Sequence, residues 1–357
     1  MGIKRKGYLF LISSIFFIFL SVILWNMIQF HRNSQDFPLH SLIGNKSSTA
    51  TALKEKGLPF SFLVIGDTHD SHRATTLIKR ALKEGDPSFM IILGDFVSRP
   101  DIRYHHYYLK QMAEEIKLPL PIFLVPGNHD IDYASSTVKE EAHRVTPKVY
   151  ESLYGPRNFY FIFNNCLFVI SGIDPRDPPY YLNYLRETLS QQGKGKKHIF
   201  IFIHNPPKLV GPAGSFSLPN EEEFFSLLYS YKVTTCFFGD THAYGRGQSR
   251  GTNLIVSGGG GRLKQRQSEW GKFNHIMKIT VDENMIREGM MILKGEEGRF
   301  RAIFKKWVFI HLFPILKNSG WMFYLVFAIL LTLSGFFCFK FLKTIRSRCN
   351  SGETKLR

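Results

Sequence analysis

Acids and imidazoles recur in this chain directly after short apolar runs. Residues 62–65 (FLVI) lead through Gly66 to Asp67, Thr68 and His69. Residues 89–93 (FMIIL) lead to Gly94 and Asp95, and residues 122–125 (IFLV) to Pro126, Gly127, Asn128, His129 and Asp130. Residues 198–203 (HIFIFI) deliver His204, and residues 233–238 (VTTCFF) deliver Gly239, Asp240, Thr241 and His242. Each run reads as a buried strand, and open α/β sheets keep their sites at the carboxyl ends of strands. A lone Asp-x-His arises often by chance. Five strand ends bearing such groups point to one shared pocket. Carboxylate and imidazole donors without thiolate suit Mn, Fe or Zn. The donors exceed the needs of one ion, and two ions sharing a bridging carboxylate fit better, the arrangement that clamps phosphoryl transfer.

The elements that must hold these residues alternate. Helical spacing over 73–84 (Leu77, Ile78, Ala81, Leu82) follows the first run, and a second helix is expected over 104–117. Residues 138–154 read as partly helical with Pro147 as a break. Strands 158–163 and 166–171 flank Asn164-Asn165, a tight hairpin turn. Helices near 182–191 and 221–231, a strand at 254–256 before Ser257 and Gly258–Gly261, and a strand near 276–281 complete the pattern. Strands alternating with helices and then with hairpins imply an α/β two-sheet sandwich flanked by helices.

The order D-x-H, G-D, G-N-H, H, G-x-x-H resembles the calcineurin-like metallophosphoesterase superfamily, whose signature is DxH…GDxxD…GNH[DE]…H…GHxH. The resemblance covers residues 59–292. It implies that Asp67, His69 and His242 hold one metal and Asn128 and His204 the second, with Asp95 bridging. It further implies that His129 contacts the phosphate and protonates the leaving oxygen, and that a hydroxide between two divalent ions (Mn²⁺, Fe or Zn²⁺) attacks phosphorus in line. Two positions depart from the signature. Asp240 stands where the first His of GHxH is expected; as a ligand it favours harder cations such as Mn²⁺ or Mg²⁺. Ser98 stands where GDxxD has its second acid, leaving Asp130 or Asp70 to orient His129. Arg262, beside the four glycines, is a candidate for binding the substrate phosphate together with Asn128 and His129. His72, His105, His106, His143 and His275 are assigned structural roles.

Both ends read as membrane sequence. Residues 7–30 carry no charge until past Phe30, and residues 321–339 are again uncharged, each about as long as the 20 apolar residues that a span needs. Lys4, Arg5 and Lys6 precede the first, and Lys340, Lys343, Arg346 and Arg348 follow the second, so both tails are expected in the cytoplasm and the middle outside it, in a periplasm or lumen. The implied division is a tail at 1–6, an anchor at 7–30, a polar linker at 31–57, a metallophosphoesterase domain at 58–300, an interfacial segment at 301–320, a transmembrane helix at 321–339 and a basic tail at 340–357. The triplet Asn45-Lys46-Ser47 is a glycosylation sequon of a kind that chance supplies.

Composition narrows the function classes. The formal charge of +17 over 357 residues suits anionic surfaces or phosphate-bearing substrates. None of the four cysteines forms a CxxC pair, which excludes a zinc knuckle or a thioredoxin site, and Cys166 and Cys236 are expected as buried free thiols. The reading is a two-pass, membrane-anchored, dinuclear metal-dependent phosphoesterase acting on a phosphate mono- or diester. A lipid- or glycan-linked substrate fits the anchoring, and no nucleic-acid polymer is expected as a partner. The alternatives are a phosphatase or phosphodiesterase for soluble nucleotides and a phosphate-binding protein with a degenerate site.

Overall fold

The computed structural model describes residues 2–33, 41–54, 57–117, 119–134, 143–210, 218–263, 271–294, 299–312 and 320–353. The chain divides into two compact units, Phe37–Phe304 and Met1–Asp36 with Lys305–Arg357.

The larger unit is a sandwich of two sheets. The first has the order β11-β10-β1-β2-β3, with β1 (Phe60–Ile65), β2 (Phe89–Ile92), β3 (Ile122–Leu124), β10 (His275–Val281) and β11 (Ile286–Ile292). The second has the order β4-β5-β6-β7-β9-β8, with β4 (Phe159–Phe163), β5 (Cys166–Ile170), β6 (His198–Phe202), β7 (Thr235–Phe238), β8 (Tyr244–Ser249) and β9 (Thr252–Ser257). β1, β2 and β3 run parallel, as do β5, β6, β7 and β9. Their carboxyl ends therefore open at one edge of each sheet.

Period-2 alternation decides which face each side chain takes. Phe60, Phe62 and Val64 of β1 enter the core between the sheets, where they meet Phe168, Phe200, Phe202 and Phe237. Phe62 stacks on Phe89 with centroids 5.1 Å apart, and Phe168 on Phe200 at 5.0 Å. Leu63 and Ile65 point the other way, into a helical layer that includes α3 (His72–Lys83) and α5 (Pro147–Tyr154). On the far sheet, Ile199, Ile201 and Ile203 pack with residues of α6 (Tyr180–Gln192) and α7 (Glu221–Ser230). Sheets covered on both faces give the continuous apolar runs that made these strands visible in the sequence.

Several boundaries differ from the sequence expectation. The helix expected at 104–117 is α4 (Ile102–Lys110), which then widens into a π-helical stretch over Gln111–Ile116. Pro147 opens α5 rather than breaking it, because a first-turn proline loses no helical hydrogen bond and Thr146 caps the turn from its side chain. Residues 135–142, where a further helical stretch was expected, lie outside the described residues. β8 and β11 were not foreseen. Asn164 and Asn165 both take positive φ (45° and 57°), as the expected hairpin turn requires.

The linker expected at 31–57 is partly packed. Ile43 is buried and bridges Ile122, and a short helix α2 (Ser47–Thr51) follows. The Asn45 side chain donates to the carbonyls of Leu124 (2.7 Å) and Pro156 (3.1 Å) and accepts from Leu124 N–H (3.0 Å). Buried and bonded in this way, it is a structural residue, which accords with a chance sequon.

In the smaller unit, α1 (Gly2–Asn33) packs on α9 (Gly320–Glu353). Both are long and apolar enough to cross a membrane, over Tyr8–Trp25 and Tyr324–Arg346. Trp25 meets Phe327 at 5.5 Å and Phe10 meets Phe337 at 6.3 Å, so the two helices run antiparallel. Ser14 Oγ donates to the Ser334 carbonyl at 3.2 Å inside the pair, a polar contact of the kind that fixes helices in apolar surroundings. The boundary between the units falls within α8 (Arg299–Trp307), which continues as a π-helical turn over Val308–Leu312 in which Phe309 and Ile310 are buried. The rest of the expected interfacial segment, including Pro314, falls outside the described residues.

Candidate metal centre

The loops after β1, β2 and β7 leave their strands through unusual backbone turns. Asp67, His69, Asp70, Asp95, Asp240 and His242 all have φ between 46° and 61°. Non-glycine residues pay a steric penalty there, and clusters of them mark sites where surrounding structure over-determines the chain. The surroundings are visible. Asp67 N–H donates to Gly94 O (3.1 Å), His69 N–H to Asp95 O (2.9 Å) and Asp70 N–H to Phe96 O (3.0 Å), lacing the turn after β1 to the turn after β2.

Two glycines let carboxylates approach the backbone. A Cβ at Gly127 would stand 2.3 Å from Asp95 Oδ1, and one at Gly258 would stand 2.5 Å from Asp67 Oδ2. The stretch Gly258–Gly261 thus closes the wall behind Asp67. Phosphate cradling is not needed to explain it.

The donors converge into two groups that share Asp95. Asp67, His69, Asp95 and His242 form the first, and Asp95, His204 and Asp240 the second; in each, the ligand atoms lie within 4.8 Å of one another. In the first, His242 Nε2 is 3.7 Å from Asp67 Oδ1, His69 Nε2 is 3.9 Å from Asp95 Oδ2, and the two Nε2 atoms are 3.3 Å apart. In the second, His204 Nε2 is 3.4 Å from Asp95 Oδ1 and 3.8 Å from Asp240 Oδ1.

Backbone carbonyls aim the imidazoles. His204 Nδ1 donates to Leu93 O at 2.7 Å, and His242 Nδ1 donates to Arg262 O. With Nδ1 protonated, each neutral ring turns a bare Nε2 lone pair into the pocket, the tautomer a metal ligand needs. For His204 that lone pair would face two carboxylates, an arrangement that demands a cation. Burial lowers the His204 pKa, but the Asp95 charge and hydrogen bond, with Asp67 and Asp240 behind them, overcome it and carry the pKa well above that of an ordinary imidazole. Burial also works to raise Asp95, yet His204, His69 and His129 hold it below the usual carboxylate range. His69 goes the other way: burial brings it down to about 3. Mixed oxygen and nitrogen donors with bare Nε2 atoms suit a pair of divalent ions.

His129 stands beside the centre. Its N–H donates to Asp95 Oδ1 (2.9 Å), and its Nε2 is 4.0 Å from Asp95 Oδ2. The group that orients it is the Ser98 backbone carbonyl, 2.9 Å from Nδ1. Neither Asp130 nor Asp70 fills the place of the absent acid. Asp130 is buried and accepts from the N–H groups of Asp95 (2.8 Å), Val97 (3.2 Å) and Gly127 (2.8 Å), tying the turns after β2 and β3 together. Asp70 accepts from Ser98 N–H at 2.9 Å.

Asn128 is exposed in the turn between Gly127 and His129. The Arg262 side chain is exposed, and its backbone carbonyl is what serves the centre. His105 is buried against the Tyr154 hydroxyl (3.1 Å), and His275 contacts the Ser257 hydroxyl (3.1 Å), away from the two groups. The sequence reading did not identify the carbonyls of Leu93, Arg262 and Ser98, because any residue supplies a carbonyl. Cys166 and Cys236 are buried free thiols.

A family model described as calcineurin-like phosphoesterase matches residues 60–244. No curated protein matches in sequence. Among solved structures, a purple acid phosphatase from yellow lupin (Lupinus luteus) seeds superposes with a TM-score of 0.52 at 16% identity, over 66% of this chain and 52% of that one. This chain thus spans about half the length of the lupin enzyme. A dimetal phosphatase from Danio rerio gives 0.48 at 13% identity, over 66% and 99% of the two chains. A Plasmodium protein described as the anchor in the inner membrane complex gives 0.46 at 14%, over 71% and 95%. At such identities the likeness is one of fold.

Proposed function

The chain belongs to the calcineurin-like phosphoesterase family of metal-dependent phosphoric ester hydrolases, and on that premise we propose that it works from a membrane anchor on a phosphate ester outside the cytosol. A lipid- or glycan-linked mono- or diester is the favoured substrate class. Asp67, His69 and His242 would hold one divalent cation and His204, Asp240 and Asn128 the other, with Asp95 shared. Such ions neutralise phosphate charge and lower the pKa of water that they bind.

The protein groups have separate tasks. Leu93 O and Arg262 O accept from Nδ1–H of His204 and His242 and so aim each Nε2 into the pocket. Asp130 keeps Asp95 and the turn after β3 in register. As an imidazolium, His129 would give Nδ1–H to Ser98 O and bring Nε2–H toward the leaving oxygen, the general-acid role. The observation that carries the reading is His204, a buried imidazole whose Nε2 faces two carboxylates.

Anchoring draws support from two apolar helices that pack antiparallel, which brings both tails to the same side. The basic residues at both tails favour the cytoplasmic side. The purified full chain supplied with Mn²⁺ should hydrolyse bis(p-nitrophenyl) or p-nitrophenyl phosphate, stop on chelation, and cleave a phosphoester presented in vesicles. Turnover indifferent to chelator would overturn the metal reading. Cleavage of free nucleotides with none of vesicle-bound ester would overturn the lipid reading.

A further inference from the structure

Helix α8 presents an apolar stripe that is exposed among the described residues. Phe300, Ile303, Phe304 and Trp307 are 83%, 55%, 42% and 52% exposed. Their spacing of i, i+3, i+4 and i+7 puts them on one face about 100° wide. The Phe300 and Phe304 rings already lie nearly parallel, 6.4 Å apart, so the face is formed before anything meets it. Burying four such side chains would be worth several kcal/mol, at roughly 1.5–3 kcal/mol for each fully buried large residue. A contiguous exposed apolar face of this kind marks an interaction surface.

We propose that α8 lies flat on the lipid surface, with this stripe sunk to the headgroup–acyl boundary of an anionic leaflet. The proposal rests on the membrane-anchored reading. Two observations choose lipid over a protein partner. Residues 308–319 connect α8 to α9, whose Tyr324–Arg346 stretch is apolar enough to cross a bilayer, so α8 must stay near the surface that α9 enters. The charge pattern also fits. Lys305 and Lys306 occupy the last turn: Lys306 flanks the stripe, where its stem can run along apolar surface while its ammonium meets anionic headgroups, and Lys305 lies toward the opposite, water-facing side. Trp307 ends the stripe, and tryptophan favours the membrane interface. The first turns of α8 belong to the catalytic unit, so a docked α8 tethers that unit to the lipid surface. That selects substrates whose phosphate sits at the interface.

The test uses the full chain in nanodiscs, with Cys338 and Cys349 replaced by serine and single nitroxide labels introduced. Labels at Phe300→Cys and Phe304→Cys should be relaxed more by oxygen than by a water-soluble nickel complex, and a label at Ala302→Cys, opposite the stripe, should show the reverse. A label at Leu325→Cys in α9 reports the anchor itself. If that label sits in lipid while all α8 labels face water, the surface helix is wrong and the anchor stands. If Leu325→Cys also faces water, the anchored reading fails first. Spin coupling between Phe300→Cys labels of two chains would show a second copy on the face and overturn the proposal. Replacing anionic lipid by zwitterionic lipid should reduce the depth of the Phe300→Cys label, and an unchanged depth would remove the charge argument. The double variant Phe300→Asp with Phe304→Asp should lower cleavage of a vesicle-bound ester about tenfold. Hydrolysis of soluble p-nitrophenyl esters should stay the same; equal loss on both would mean that α8 serves the fold.

Discussion

The two donor groups that meet at Asp95 are built differently. The first offers two carboxylates and two imidazoles, and its His69 side chain is 11% exposed, beside His129 at 42%. The second offers two carboxylates and one imidazole, and none of its side chains exceeds 4% exposure. The centre is more open on the side of His69 and His129. The protonation states differ as well. Burial holds the His69 pKa low, whereas the carboxylates around His204 hold its pKa high. The first group is ready for a cation. The second must release a proton to accept one, and its oxygen-rich set suits a harder ion.

Substitutions can break this contrast, beginning with the residue both groups share. Asp95→Ala should lower turnover by more than about 10³-fold, since it removes a ligand from both groups at once. A variant with the wild-type rate in a p-nitrophenyl ester assay would refute the shared site. Next in size is the pH effect. A group with a raised folded pKa holds its proton until the pH climbs through that value, so cation affinity at the second group should rise about tenfold per pH unit below it. His69 should add little pH dependence from pH 6 to 8, because it has lost its proton by about 3. Calorimetry in buffers of different ionisation enthalpy should register one proton released with one of two binding events; equal release from both would erase the contrast.

Asp240→His would make the second group resemble the first. It should shift the Zn²⁺ over Mn²⁺ preference by about tenfold, read by competition titration and the Mn²⁺ resonance signal. An unchanged ratio would show that Asp240 does not set the preference. The smallest effect expected is on stability. Asp130→Asn weakens three buried N–H contacts and should cost about 1 kcal/mol in urea unfolding, with both donor groups intact.

What could be read in the sequence followed from how each part is stabilised. β1, β2, β3, β6 and β7 are buried on both faces, so they appear as unbroken apolar runs, and the polar residue that ends each run is conspicuous. β8 (YGRGQS) and β11 (IREGMMI) are outermost strands with glycine and charge, and neither carries such a run. Ile43 joins β3 through one isolated backbone bridge and Asn45 through its side chain, which leaves no periodicity to detect. The donor residues were legible by type and order. Their positioning was not, because Leu93, Arg262 and Ser98 act through backbone carbonyls. Arg262 shows the gap well: the sequence drew attention to its guanidinium, while the structure uses its carbonyl.

Anomalous scattering from the Mn²⁺-loaded chain tests the central claim most directly. Two peaks on either side of Asp95, one among Asp67, His69 and His242 and one between His204 and Asp240, are expected, and both should weaken in Asp95→Ala. A single peak in the wild type, or peaks remote from Asp95, would contradict a two-ion centre.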